Sequence, residues 1–91
     1  MFRYNIIVSG TVQGIGYRYF VLNKAKIFDI TGWARNMDTG SVEITAEGEK
    51  ASLEDFVGAL KTQHPWARVS GMEIARVEID KRSSGSFTII A

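Results

Sequence analysis

The segment Gly10-Thr11-Val12-Gln13-Gly14-Ile15-Gly16-Tyr17-Arg18 constrains the fold more than any other, because of what flanks it. An apolar alternating run, Tyr4 to Val8, leads into it, and a run with helical spacing, Tyr19 to Phe28, follows. A strand that feeds a helix through a glycine-containing loop can point several consecutive backbone N–H groups at one spot. The helix N-terminus adds partial positive charge there, which suits an anion. Arg18 opens the helix and can place a planar charged fork over the same spot. Glycines also serve turn geometry alone, since they tolerate positive φ. An Arg in a first helical turn runs slightly against the dipole, a mild cost that is explained if guanidinium and amides share an anion. No Lys-Ser/Thr pair follows the glycines, and the third Gly and distal acid of a dinucleotide fingerprint are missing. The loop reads as a phosphate cradle of another kind.

A second segment, Gly32-Trp33-Ala34-Arg35-Asn36, runs into an Asp38-Thr39-Gly40 turn and returns as the alternating strand Val42, Ile44, Ala46. Counting by two, Asn36 shares a face with Gly32 and Ala34, small residues that leave space around it. Read alone, Asn36 is better taken as a polar residue entering a turn, where Asn is common.

Between and beyond these segments the pattern predicts a strand over 4–10, a helix over 18–28 and a hairpin of strands 32–37 and 41–47. Val21, Leu22, Ala25 and Phe28 mark the buried stripe of the first helix. A second helix is expected from Ser52, where Ser52 and Asp55 resemble a capping box, with Leu53, Phe56, Val57 and Leu60 buried and a stop by Pro65. A strand over 72–80, a Ser-Ser-Gly turn and a short strand over 86–90 complete the chain. The order βαββαβ plus a short C-terminal strand predicts an α+β, ferredoxin-like sandwich, with two helices on one face of an antiparallel sheet. Ninety-one residues without a linker or repeat make one expected domain, 1–91.

Composition narrows the chemistry. With no cysteine there is no thiol nucleophile and no disulfide scaffold, and a single histidine offers little to a metal. The acids Glu47, Glu49, Glu54 and Asp55 read as a solvated surface, and Trp33 and Trp66 as packing residues. His64, beside Pro65, reads as a helix-end residue. A net charge of +1 gives no bulk attraction to nucleic acid or membrane, so anion specificity must be local. No apolar run approaches a membrane span, and the start lacks a signal-peptide pattern, so a cytoplasmic location is expected.

Together the two glycine-bearing segments resemble the acylphosphatase family. Its first signature, Gly-x-Val-Gln-Gly-Val-Gly-Phe-Arg, is matched at 10–18, with Ile15 and Tyr17 as conservative replacements. Its second, Gly-Trp-Val-Arg-Asn followed by a Gly-Ser-Val-Glu turn and strand, is matched at Gly32 to Asn36 and Gly40 to Glu43. The motif spacing and Ala25 midway along the intervening helix also fit. Asp29 stands where a Gly usually ends the first helix, and His64-Pro65-Trp66 replaces a Gly-Pro step; both departures bear on stability more than on the site. The chain also lacks the polar or aromatic ending of many relatives.

The resemblance implies that Arg18 binds the phosphoryl group, that Asn36 positions the attacking water, and that the amides of Gln13, Gly14, Ile15, Gly16, Tyr17 and Arg18 complete the anion site. It implies a small-molecule acyl phosphate as substrate, with no cofactor and no metal, and a monomer. The chemistry is consistent with this: a carboxylate leaving group, whose conjugate acid has a pKa of about 4, needs no strong general acid. Two other classes stand beside this reading. One is a phosphoanion-binding module of the kind built into larger carbamoyl-transfer proteins, against which the short length argues. The other is an RNA-binding ferredoxin-like domain, which needs exposed aromatics on the central strands; Ile6, Val8, Val42 and Ile44 supply none.

Overall fold

A computed structural model describes all 91 residues. The elements run β1 (Phe2–Thr11), α1 (Tyr17–Ile27), β2 (Thr31–Asn36), β3 (Val42–Gly48), α2 (Lys50–Thr62), β4 (Arg68–Glu78) and β5 (Phe87–Ile90). The five strands form one sheet in the order β4-β1-β3-β2-β5. The first four pair antiparallel, whereas the terminal strand joins β2 in parallel, so the sheet is mixed at that edge. The βαββαβ order and the ferredoxin-like sandwich are as the pattern predicts.

Period-two burial fixes the faces. Tyr4, Ile6 and Val8 of β1, Ala34 of β2, and Val42, Ile44 and Ala46 of β3 are completely buried. They form one core with Val21 and Ala25 of α1 and Leu53, Phe56, Val57 and Leu60 of α2. Leu22 and Phe28, expected on the α1 stripe, are only half-buried, and Tyr17 takes the inward position at the start of the helix. Ile6, Val8, Val42 and Ile44 face the helices, so they are the wrong residues by which to judge an RNA-binding sheet. The open face carries Asn5, Ile7, Glu43 and Thr45 on its central strands, again without an aromatic pair.

Three element starts differ from the pattern by two residues or more. Helix α2 begins at Lys50 with Glu49 at its N-cap, and no side chain caps it; Ser52 and Asp55 already lie inside the first turns. Strand β4 begins at Arg68 rather than Met72, because Arg68 and Val69 pair with Thr11 and Gly10 beyond a bulge at Ser9/Gly10. Pairing across such a bulge leaves no period-two trace in sequence. Strand β1 likewise reaches back to Phe2.

Helix α1 ends in a Schellman motif. The Ile30 N–H donates to the Ala25 carbonyl at 2.8 Å and the Asp29 N–H to Lys26 at 3.4 Å, with Asp29 at φ 57°. Asp29 thus occupies the left-handed position where glycine is usual, and the departure is accommodated. Gly32 is small for a reason other than room near Asn36: at φ 140°, a Cβ on it would lie 1.8 Å from the Thr45 carbonyl oxygen of the neighbouring strand.

Candidate active site

The β1–α1 loop turns through two left-handed glycines, Gly14 at φ 76° and Gly16 at φ 75°. Nothing would crowd a Cβ at either position, so both are glycines for backbone conformation alone. Gly16 is also the N-cap of α1 and offers no side-chain acceptor; the first helical bond is Phe20 N–H to the Gly16 carbonyl at 3.1 Å. As a result, the backbone N–H groups from Gln13 to Tyr19 find no acceptor within the chain. No acidic residue occupies the first turn to offset the dipole. A ring of unpaired donors at the positive end of a helix is an anion site in waiting.

These groups surround one cavity of about 200 Å³, lined by Val12, Gln13, Gly14, Gly16, Tyr17, Arg18, Tyr19 and Asn36. That is several times the ~30 Å³ share of a water molecule in the liquid, enough for a phosphoryl group with its nucleophile. Arg18 and Asn36, far apart in sequence, meet here. Arg18 donates from Nη1 to the Ile90 carbonyl at 3.0 Å and pairs with no carboxylate. Its remaining donors stay free for an oxyanion. Asn36 ends β2 on the face of Ala34, beyond the core, and its carboxamide has no partner within the chain.

Of the other expected site residues, Ile15 does not line the cavity; its side chain is half-buried and packs against the core. Tyr17 is buried, and its hydroxyl donates to the Leu60 carbonyl at 2.8 Å, tying α1 to α2. Burial pushes its phenol well above the ordinary range. Gln13 ties its side chain to the β2–β3 turn, donating from Nε2 to the carbonyls of Met37 at 2.9 Å and Ser41 at 2.8 Å.

Sequence reasoning missed three participants. Tyr19 stands at the rim, 64% exposed, and adjacency to Arg18 was its only signal. Val12, fully buried beneath the cavity, continues the even-numbered inward positions of β1 past Gly10. The Ile90 carbonyl left no signal at all, since any residue supplies one.

Two surface expectations are also overturned. Glu47 is not solvated: it is 2% exposed and accepts hydrogen bonds from Arg3 Nε at 2.6 Å, the Ser83 N–H at 2.6 Å and the Ser83 hydroxyl at 2.9 Å. Trp66 is no packing residue, being 73% exposed; its backbone N–H is held by His64 Nδ1 at 3.1 Å in the turn after α2. The His64 ring in turn meets Phe20 edge-on, with centroids 5.0 Å apart.

The sequence profile of the acylphosphatase family matches residues 4–89. Acylphosphatase of Bacillus licheniformis is 46% identical over 74 residues, covering 81% of this chain and 82% of that protein. That of Methanothrix thermoacetophila is 49% identical over 71 residues, covering 78% and 79%. The crystal structure of acylphosphatase from Bacillus subtilis superposes with a TM-score of 0.93 at 38% identity, covering both chains completely. With the motif loop, Arg18 and Asn36 meeting at one cavity in that fold, the chain belongs to the acylphosphatase family.

Proposed function

We propose that the chain hydrolyses the carboxyl–phosphate bond of small acyl phosphates, releasing a carboxylate and inorganic phosphate. The observation that carries this reading is the set of unpaired amides from Gln13 to Tyr19 around the same cavity as Arg18 and Asn36. The phosphoryl group sits in the loop. Its oxygens accept from the amides and from Arg18, which together offset the charge on the equatorial positions of the transition state. Asn36 holds a water in line with the departing carboxylate. The water oxygen bonds to phosphorus as the phosphorus–carboxyl oxygen bond breaks, and the bond electrons leave with the carboxylate.

Asn is a poor base, so it orients the water while a phosphate oxygen takes the proton. The leaving group is stable as an anion at neutral pH, so neither a general acid nor a metal is required. On this reading Arg18 is the anion anchor and Asn36 the water-orienting group, with the amides of Gln13, Gly14, Ile15, Gly16, Tyr17 and Arg18 as the cradle.

We further read residues 1–91 as one domain that acts as a cytoplasmic monomer with no nucleic-acid or membrane partner. A net charge of +1 and the absence of any helix long and apolar enough to cross a membrane support that reading. A discontinuous assay in chelator tests the activity, comparing several acyl phosphates with a phosphate monoester. Hydrolysis of the acyl phosphates and not of the monoester is expected. Turnover that appears only when a divalent metal is added back would overturn the metal-independent mechanism.

A further inference from the structure

We infer that Gln13 is a positioning residue whose side chain sets Asn36 against the anion loop, an inference that rests on the hydrolytic reading above. The need arises from the topology. The loop that carries Arg18 leaves the end of β1 and Asn36 ends β2, but β3 lies between those strands. At about 4.8 Å per strand the two halves of the site are ~10 Å apart, joined by backbone only through the ladders each strand makes with β3.

Gln13 spans that gap. Its Nε2 donates to the carbonyls of Met37 and Ser41, the residues that flank the β2–β3 turn directly after Asn36. Each carbonyl already accepts one turn bond: the Met37 N–H donates to Ser41 at 2.8 Å, and the Gly40 N–H to Met37 at 3.1 Å. Gln13 fills the second lone pair of both. Two carbonyl acceptors demand an uncharged-acceptor-free face with two donors, which the NH₂ of a carboxamide supplies and a carboxylate or thioether does not. A hydroxyl contact, Ser9 Oγ to Ser41 Oγ at 3.1 Å, ties the same turn to β1 lower down. Asn36 itself has no side-chain partner within the chain, so its backbone anchorage decides where its carboxamide points.

In-line attack requires the water within about 3–3.5 Å of phosphorus, and a misplacement near 1 Å costs on the order of a hundredfold. Gln13→Met keeps the side-chain length and removes both donors. Its kcat for acetyl phosphate should fall about ten- to a hundredfold, while the inhibition constant of inorganic phosphate, which reports the loop and Arg18, stays within about threefold. In an Asn36→Ala background the same substitution should cost less than about twofold more, since there is then no water-orienting group left to displace. Amide hydrogen exchange at Met37 and Gly40 should quicken about tenfold, and that at Ile44 should not.

Should Gln13→Met fail to fold, Gln13→Asn carries the same comparisons, one methylene too short to reach both carbonyls. Unchanged kcat would overturn the proposal, as would phosphate affinity falling in step with kcat or a full loss persisting without Asn36. An inactive wild-type protein would overturn the hydrolytic reading and with it any role for Asn36. Unchanged exchange at Met37 and Gly40 would overturn the clamp alone.

Discussion

The two ends of strands β1, β3 and β2 treat polar groups in opposite ways. At the end where Arg3 pairs with Glu47 and Glu47 with Thr31, the buried polar side chains are answered from within the chain. Glu47 is saturated by Arg3 and Ser83. Arg82 donates to the Thr31 hydroxyl at 3.2 Å, the Glu47 carbonyl at 3.0 Å and the Asp29 carbonyl at 2.9 Å. At the end where Val8 pairs with Val42 and Val42 with Asn36, a run of amides and the Asn36 carboxamide go unanswered, and Arg18 holds one carbonyl. The closed end gains stability from its polar groups; on the function proposed above, the open end keeps its groups for a ligand. The two are linked, because segment 79–86, pinned by Glu47 and Arg82, leads into β5 and so brings Ile90 to Arg18.

The largest effect that would break this contrast is on Arg18. Arg18→Ala should lower kcat/KM about a thousandfold and abolish inhibition by phosphate. Its thermal midpoint should hardly move, since the residue sits unfavourably with the helix dipole and spends one exposed bond on Ile90. A variant that lost stability and activity together would place Arg18 with the closed end instead. Asn36→Ala should be next, losing about a hundredfold in kcat with the phosphate inhibition constant within about threefold of wild type. Near-normal turnover in that variant would remove its role as the water-orienting group.

Glu47→Gln probes the opposite end, through stability. Burial alone would raise the Glu47 carboxyl, but the Ser83 N–H, Arg3 and the Ser83 hydroxyl outweigh it and hold the group below the usual carboxylate range. A carboxylate depressed in the folded state contributes stability that is present above its unfolded value, about 4.3, and lost as pH falls through the folded value. The variant should therefore be less stable by about 2 kcal/mol at neutral pH, with a midpoint lower by ~10 °C. The gap should narrow below about pH 4, and activity of the folded variant at 25 °C should stay within about twofold. A gap that widened on acidification would show that the charge on Glu47 is a burden and not a support.

The same contrast explains what the sequence made legible. The loop at the open end was readable because its groups are local: Gly14, Gly16 and Arg18 act through backbone shape and charge within one segment. Asn36, read alone a polar residue entering a turn, was singled out only by the family resemblance of its segment. The core was readable for a similar reason, since Tyr4, Ile6 and Val8 alternate and Leu53, Phe56, Val57 and Leu60 recur at helical spacing. The closed end was not. Glu47 has the pattern of a surface acid on an exposed face, and only segment 79–86, some 36 residues later, buries it. The Gln13 bonds and the Arg18–Ile90 contact span 24 to 72 residues and end on carbonyl oxygens, which carry no residue identity. The early start of β4 at Arg68 likewise depends on a bulge, which leaves Ser70 without a partner between Val69 and Gly71.

The smallest effect concerns Asp29, which joins α1 to the closed end and sharpens the question of what that end needs. Its backbone is left-handed at φ 57°, its carbonyl accepts from Arg82, and its carboxylate meets Arg82 Nη2 at 3.3 Å while 93% exposed. An exposed pair of this kind is worth about 0–1 kcal/mol, whereas a left-handed residue without a compensating local contact costs about 1–2 kcal/mol. Asp29→Ala should therefore lose about 1 kcal/mol, because it keeps the Cβ and gives up the polar side chain. Asp29→Gly relieves the backbone but loosens the unfolded chain, two effects of about equal size, and should stay within ~0.5 kcal/mol of wild type. Chemical denaturation of both variants separates the causes. If glycine falls as far as alanine, the Arg82 pair and not the helix-ending backbone is what the position supplies, and the closed end reaches one residue further than its buried groups indicate.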